Sequence, residues 1–128
     1  MSYTLDRIIE TTDFADVDSR TRAALQKHGF GVLTEIDVQA TMKNKIDVDM
    51  DPYRILGACN PHMAHKAIGM EPKVGAMLPC NVILRAVDGG IEVSAIDPLE
   101  SMQAIDNDEL KSVAGKVREM LSEVIAEI

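Results

Sequence analysis

The side chains most able to do chemistry are gathered in two short segments of this 128-residue chain. Residues 59–65 read Cys-Asn-Pro-His-Met-Ala-His, and residues 78–81 read Leu-Pro-Cys-Asn. Together the two segments hold both cysteines and two of the three histidines. Thiols and imidazoles act as nucleophiles, as redox groups or as ligands for soft and borderline metal ions. These segments are therefore the candidate functional site.

Cys59 directly precedes a predicted helix start. Asn60 is a favoured N-cap residue and Pro61 suits the first helical position, so the pattern predicts a helix over residues 61–70. The Cys59 thiol would then lie within one turn of a helix N-terminus. The partial positive charge and free N–H groups there favour a thiolate over a thiol. A protonated His62 would act in the same direction.

Both cysteines also fit interior positions. Strand parity places Cys59 on the face of Tyr53 and Ile55, which is consistent with a small buried hydrophobic residue. The same parity places Cys80 with Val82, pointing inward. Two inward cysteines form a disulfide only if their Cα atoms lie within ~7 Å of each other. The sequence leaves that distance open.

A metal site is an alternative interpretation of the same residues. The potential ligands are Cys59, His62, His65 and Cys80. Two thiolates and two imidazoles suit Zn²⁺ or a softer ion. The two histidines are three residues apart and share one face of the predicted helix. The run lacks the repeated pairs that make zinc-finger spacing specific, and solvated helix positions explain the histidines equally well. The sequence identifies no cofactor.

Charge and composition exclude several classes of partner. The chain has 13 Lys plus Arg against 21 Asp plus Glu, a net charge of −8, and no basic run, so we expect no nucleic-acid partner. No apolar stretch approaches the ~18 residues that cross a membrane. Residues 1–10 carry charges where a signal peptide has its apolar core. We therefore expect a cytoplasmic protein with reduced cysteines and no membrane partner.

The hydropathy pattern predicts a single α+β domain over residues 1–128. Strands are predicted at 3–10, 30–38, 53–59, 74–87 and 91–97. Helices are predicted at 14–28, 61–70 and 106–128, with a short helix or an irregular crossing at 39–46. This order predicts a mainly antiparallel, curved sheet with helices packed on one of its faces.

Three local patterns refine these elements. Alternation over residues 30–38 places Ile36 on the same face as Val32, opposite Glu35. Pro79 interrupts the fourth strand, which predicts an edge position or a bulge there. Asp106, followed three residues later by a glutamate, resembles a capping box at the start of the last helix.

Four segments of the chain resemble domain-of-unknown-function family 302. They read GFGVLTEIDV at 29–38, YRILGACNP at 53–61, LPCNV at 78–82 and DP at 97–98. The resemblance implies a small fold similar to the TATA-box-binding-protein-like β-α-β4-α arrangement, with the helix at 61–70 as a short insertion. It also implies a homodimer. It supplies no activity, and the motif positions it marks are Cys59, Asn60, Pro61, Leu78, Pro79, Cys80 and Asn81.

Three functional hypotheses follow. In the first, the chain is a thiol-dependent protein that handles sulfur, redox equivalents or a small molecule, with Cys59 as the reacting thiol and Cys80 as the second thiol. Its ligand-binding residues would be Asn60, Pro61, His62, Pro79 and Asn81. In the second, the same cluster binds a metal or a metal cofactor. In the third, the chain is a non-enzymatic, dimeric ligand-binding or interaction module. The unpaired edges of an open sheet also favour a homodimer.

Overall fold

Five antiparallel strands form one open sheet in the computed structural model, which describes residues 2–128. The strands are β1 (Thr4–Ile9), β2 (Gly31–Asp37), β3 (Tyr53–Cys59), β4 (Cys80–Val87) and β5 (Gly90–Ile96). Their spatial order is β1-β5-β4-β3-β2. The predicted α+β class and antiparallel sheet are confirmed. Met1, which the predicted domain includes, lies outside the described residues, and the likeness to the TATA-box-binding protein stays a prediction.

The connections between strands are mostly helical. The helices are α1 (Phe14–Lys27), α2 (Val38–Ile46), α3 (Pro61–Met70), α4 (Pro98–Ser101) and α5 (Asp108–Glu127), and a 3-10 helix spans Pro72–Met77. The bounds of α3 are those that the Asn-Pro pattern predicts. The short helix α4 is an addition to the predicted order. Within residues 2–128, no helix is both long enough and apolar enough to cross a membrane.

The core lies between one face of the sheet and the helices α1 and α5. One apolar side of α5 is buried, and it comprises Leu110, Val113, Ala114, Val117, Leu121, Val124 and Ile125. The sheet contributes alternate residues of its central strands, namely Leu56, Ala58, Val82, Leu84, Val93 and Ala95. Each fully buried Leu or Val side chain contributes about 1.5–3 kcal/mol of transfer free energy. The predicted packing of helices on one sheet face is therefore the main source of stability.

The fourth strand begins later than the sequence pattern predicts. Residues 74–77 belong to the 3-10 helix, whose start is capped by Glu71 accepting a hydrogen bond from the Lys73 N–H at 3.4 Å. The strand starts at Cys80, because Pro79 has no N–H for the ladder. The edge position and the bulge predicted at Pro79 are both wrong, since β4 lies between β3 and β5 and pairs with each of them without a register shift. The apolar residues within 74–79 therefore belong to a helical turn and the segment after it, and they do not extend the strand.

A β-bulge in β2 reverses the predicted facing of its second half. The register shifts between Val32 and Thr34, so that Ile36 pairs with Ile55 on the face without helices. Glu35 then points toward α1. One extra residue in a strand exchanges the two faces beyond it, and local alternation does not reveal this.

A cluster of charged side chains lies between α1 and the sheet, and it includes Glu35, which the bulge turns toward α1. Asp18, which is buried, accepts hydrogen bonds from Arg22 at 2.7 Å and from Arg54 at 3.0 Å, and Arg22 also contacts Glu35 at 3.0 Å. Burial alone would raise the pKa of Asp18, but the hydrogen bonds and charges of the two arginines hold it below its ordinary value. The cluster fixes α1 against β2 and β3.

The last helix is capped one residue later than the capping-box pattern predicts. The side chain of Asn107, not Asp106, accepts a hydrogen bond from the Leu110 N–H at 3.0 Å. Asparagine and aspartate are comparable N-caps, so the local sequence does not separate the two positions.

Candidate functional site

The two motif segments meet at one small cavity between the sheet and the helices α3 and α5. Its volume is about 30 Å³, which is enough for one or two water-sized groups. The motif residues Cys59, Asn60, Leu78, Pro79 and Cys80 all contribute to its wall. The remaining wall residues are mostly apolar and include Phe30, Met63, Pro98, Met102 and Val117. The structure therefore brings the two cysteines to a shared, apolar space.

The start of α3 is built as the sequence predicts. The side-chain oxygen of Asn60 accepts a hydrogen bond from the Met63 N–H at 3.2 Å, and Pro61 occupies the first turn. Cys59, the last residue of β3, is half-buried and sits directly before this cap. Its thiol therefore belongs to a residue that is adjacent to a helix N-terminus, lines the cavity and retains contact with solvent.

Cys80 occupies a more enclosed position. It pairs with Ala58 across the β3–β4 ladder and is only 8% exposed. Burial, with an added effect of the neighbouring Cys59 charge, raises the pKa of Cys80 to about 11. Near neutral pH, Cys80 is thus a protonated thiol. Both cysteines are free thiols in this structure.

Pro79 packs closely against the adjacent strand because residue 57 of that strand is a glycine. Gly57 of β3 faces Pro79 and Thr34, and a Cβ atom on residue 57 would lie 2.8 Å from the Pro79 Cγ atom and against the Thr34 hydroxyl. A glycine in a central strand commonly marks such a close approach. Gly57 thereby lets the second motif segment pack closely against β3, next to Cys59.

The other predicted site residues lie away from the cavity. Pro61, His62 and His65 are exposed on α3. Asn81 faces the opposite side of the sheet, because successive strand residues alternate. Within residues 2–128, no group of three or more His, Cys, Asp or Glu side chains is placed to hold a metal ion. The predicted metal-ligand set is therefore not brought together in this structure.

Pro98 is a cavity residue that the sequence analysis missed. It begins α4, where the Asp97 side chain accepts hydrogen bonds from the Leu99 N–H at 3.0 Å and from the Glu100 N–H at 3.4 Å. Asp97-Pro98 thus repeats the cap-and-proline pattern of Asn60-Pro61. Comparing these two dipeptides would have indicated a second helix start at this site.

Comparison with known proteins places the chain in a family without giving it an activity. A solved structure described as "uncharacterized conserved protein DUF302 from Bacillus stearothermophilus" is 22% identical, with a TM-score of 0.93 over 99% of this chain and 98% of that chain. At this identity the likeness concerns the fold. No curated protein matches the chain. The family described as "Domain of unknown function DUF302" matches residues 7–128, and the chain belongs to this family.

Proposed function

We propose that this chain is a thiol-dependent protein in which Cys59 is the reacting group and Cys80 the second thiol. The observation that carries the proposal is the convergence of a half-buried and a buried cysteine on one apolar cavity. The half-buried cysteine directly precedes the Asn60 cap of α3 and keeps contact with solvent, so it is the thiol that a reagent can reach. The small volume, about 30 Å³, suits a group of a few atoms attached to sulfur.

Because the two thiols differ in burial, we assign them different roles in the reaction. The Cys59 thiolate would attack one sulfur of a low-molecular-weight disulfide, breaking that S–S bond, forming a mixed disulfide and releasing one thiolate. Cys80 would then lose its proton to solvent and attack the Cys59 sulfur, which forms an internal disulfide and releases the second thiolate. The two cysteines are oxidised and the small disulfide is reduced. Because burial raises the pKa of Cys80 to about 11, the second step would be slow near neutral pH.

Bis(2-hydroxyethyl) disulfide is a suitable probe because it is small and uncharged. At pH ~7.5 we expect the intact protein to gain one hydroxyethylthio group, and peptide mapping to place it on Cys59. The Cys80→Ala variant should gain the same single group. The Cys59→Ser variant should gain none while it stays folded.

Two results would contradict the proposal. One is a first adduct on Cys80. The other is an absence of any adduct until the chain is unfolded in denaturant. Either result would leave the motif residues with the structural role that the third hypothesis gives them, as the wall of a pocket in a non-enzymatic module.

We also propose that the chain acts in the cytoplasm, as a homodimer. A thiol that must stay reduced requires a reducing compartment. The dimer proposal is supported by the β2–α2 surface, which we define as Leu33, Ile36, Ile46 and Val48. Leu33 is 67% and Ile46 is 63% exposed, and α2 has no buried residue. A nine-residue helix is marginal unless its apolar side is covered.

The oligomeric state tests the dimer proposal. Sedimentation velocity of the wild type should give twice the 14.0 kDa chain mass. The Ile46→Asp variant should sediment as a monomer, whereas Ile68→Asp, on the exposed side of α3, should not change the state. A monomeric wild type at ~50 µM would refute the proposal.

A further inference from the structure

A second concavity, of about 540 Å³, lies on the face of the sheet opposite the small cavity that Cys59 and Cys80 line, which we call the cysteine cavity. This volume lies within the ~300–1,000 Å³ range of small-molecule sites. The concavity crosses β1, β5, β4 and β3, and the residues that line it are Tyr3, Thr4, Asp6, Tyr53, Asn81, Ile83, Arg85, Glu92, Ser94 and Ile96. The motif residue Asn81 is therefore part of this second site and not of the cysteine cavity.

Ser94 forms the bottom of this concavity. The register places Asp6 of β1 on one side of Ser94 and Ile83 of β4 on the other, while Glu92 and Ile96 flank it along β5. A small residue ringed by four longer ones leaves a hollow. Ser94 is only 4% exposed, and it lies on the face of the sheet that lines the hollow. A hydroxyl at the bottom of an open hollow can donate a hydrogen bond to a ligand and accept one from it.

The charges of the concavity favour a cationic ligand. Arg85 is neutralised by Glu92, whose carboxylate it contacts at 2.8 and 2.9 Å. Asp6, on the rim beside Ser94, has no ion-pair partner among residues 2–128. The net charge of the lining is therefore negative, in a chain whose total charge is −8. An anionic ligand would be repelled, whereas an amine can contact the Asp6 carboxylate.

The apolar lining favours a flat ring system. Ile83 and Ile96 form apolar walls beside Ser94, and Tyr3 and Tyr53 line opposite sides of the concavity. Three strand spacings separate β1 from β3, which corresponds to ~14 Å. Tyrosine rings bind planar aromatic groups, and their faces attract cations.

We propose that this concavity is a binding site for a small, flat, aromatic molecule that carries an amino group, with Asp6 contacting the amine and Ser94 and Asn81 hydrogen-bonding its polar edge. The site is independent of the thiol chemistry, because the two cavities open on opposite faces of the sheet.

Three related probes test the proposal by calorimetry and by chemical-shift mapping. They are 4-aminoquinoline, which is cationic at neutral pH, the neutral quinoline and the anionic quinoline-4-carboxylate. We expect the cation to bind at least ~5-fold more tightly than the neutral probe, as one screened ion pair implies, and the anion to bind most weakly. The shifted amide signals should be those of β1, β5, β4 and β3.

Single-residue variants test which side chains bind the probes. Asp6→Asn should remove the preference for the cation, whereas Asp106→Asn, an exposed acid near α5, should keep it. Ser94→Leu should fill the hollow and abolish binding of all three probes. In each variant, labelling of Cys59 by bis(2-hydroxyethyl) disulfide should match the wild type, which separates failure of this proposal from failure of the thiol proposal and reports an intact fold.

Three results would overturn the inference. The first is an equal affinity for the three probes, and the second is an unchanged cation preference in Asp6→Asn. The third is an absence of saturable binding below ~5 mM. A wild-type dimer that Ser94→Leu converts to a monomer would also overturn it, because this face would then be covered by a second copy of the chain.

Discussion

Gly57 offers the sharpest test of how the two motif segments are held together. A glycine-to-alanine change commonly stabilises a protein by ~0.4–1 kcal/mol, because it restricts the unfolded chain. At position 57 the added methyl would meet the Pro79 Cγ atom at 2.8 Å and the Thr34 hydroxyl. Overpacking of this kind costs ~1–3 kcal/mol. The sum predicts that Gly57→Ala destabilises the protein by about 1–2 kcal/mol.

Urea unfolding measures this change directly. With a slope of ~2 kcal/mol per molar urea, the midpoint of Gly57→Ala should fall by about 0.5–1 M. Thr34→Ala introduced into the same variant should restore part of the loss, since it removes the hydroxyl but leaves the contact with Pro79. Displacement of Pro79 should also speed alkylation of its neighbour Cys80.

Gly115 provides the matched control. It lies inside α5, and a Cβ atom there would have no atom within 4 Å. Gly115→Ala should therefore stabilise the protein by ~0.5–1 kcal/mol. If Gly57→Ala equals or exceeds the wild type in stability, as Gly115→Ala should, then the close packing of Pro79 on β3 does not constrain the site.

For three further perturbations the structure predicts the direction of the change in stability. Asn60→Ala removes the cap of α3 and should cost ~1 kcal/mol in urea unfolding, while Asn60→Asp should keep the cap; an unchanged midpoint in Asn60→Ala would be inconsistent with this role. Cys80 has a pKa raised from 9.0 to about 11, chiefly by burial. Its contribution is therefore complete below pH ~9, and the wild type should lose about 2 kcal/mol relative to Cys80→Ala as the pH rises to ~11; parallel pH profiles would contradict this. The hydrogen bond from His28, at 2.8 Å, lowers the pKa of Glu127 below its ordinary 4.5. The stability advantage of the wild type over Glu127→Gln should thus be present at pH ~6 and shrink as the pH falls below ~4.5, and a constant difference would exclude the effect.

The elements that the sequence predicts correctly are those whose signals are local. Asn60 and Pro61 define the start of α3 by themselves, because capping and the fixed φ of proline depend on neighbouring residues only. The apolar spacing of α5 likewise predicts its buried side. Antiparallel pairing in the hairpin between β4 and β5 follows from its Asp-Gly-Gly turn.

The errors arise where a distant strand decides the outcome. The bulge that turns Ile36 to the open face is visible only in the pairing of β2 with β3. The residues of the 3-10 helix before Pro79 are as apolar as those of a strand. They form a helical turn because they pack against other helices, and the local sequence pattern carries no information about that packing. The central position of β4 is likewise a property of the whole sheet.

Only part of the candidate site was predictable from its residue types, and its geometry was not. Residue types singled out Cys59 and Cys80, and the Cα pairing of Ala58 with Cys80 brings them to one cavity. The enclosure that raises the pKa of Cys80 comes from side chains of several elements. The family resemblance marked Asn81 as a motif position, but the alternation of strand residues places it on the opposite side of the sheet from Cys80.

The relative alkylation rates of the two cysteines test the central claim most directly. At pH ~7.5 a thiol with a pKa of about 11 is ionised in only about one molecule in 3,000, and burial further limits its access to reagent. Native protein treated with iodoacetamide and mapped by peptide mass should therefore be modified at Cys59 at least ~10-fold faster than at Cys80, and this difference should vanish in denaturant. Equal rates in the native state, or faster modification of Cys80, would contradict the assignment of Cys59 as the reacting thiol.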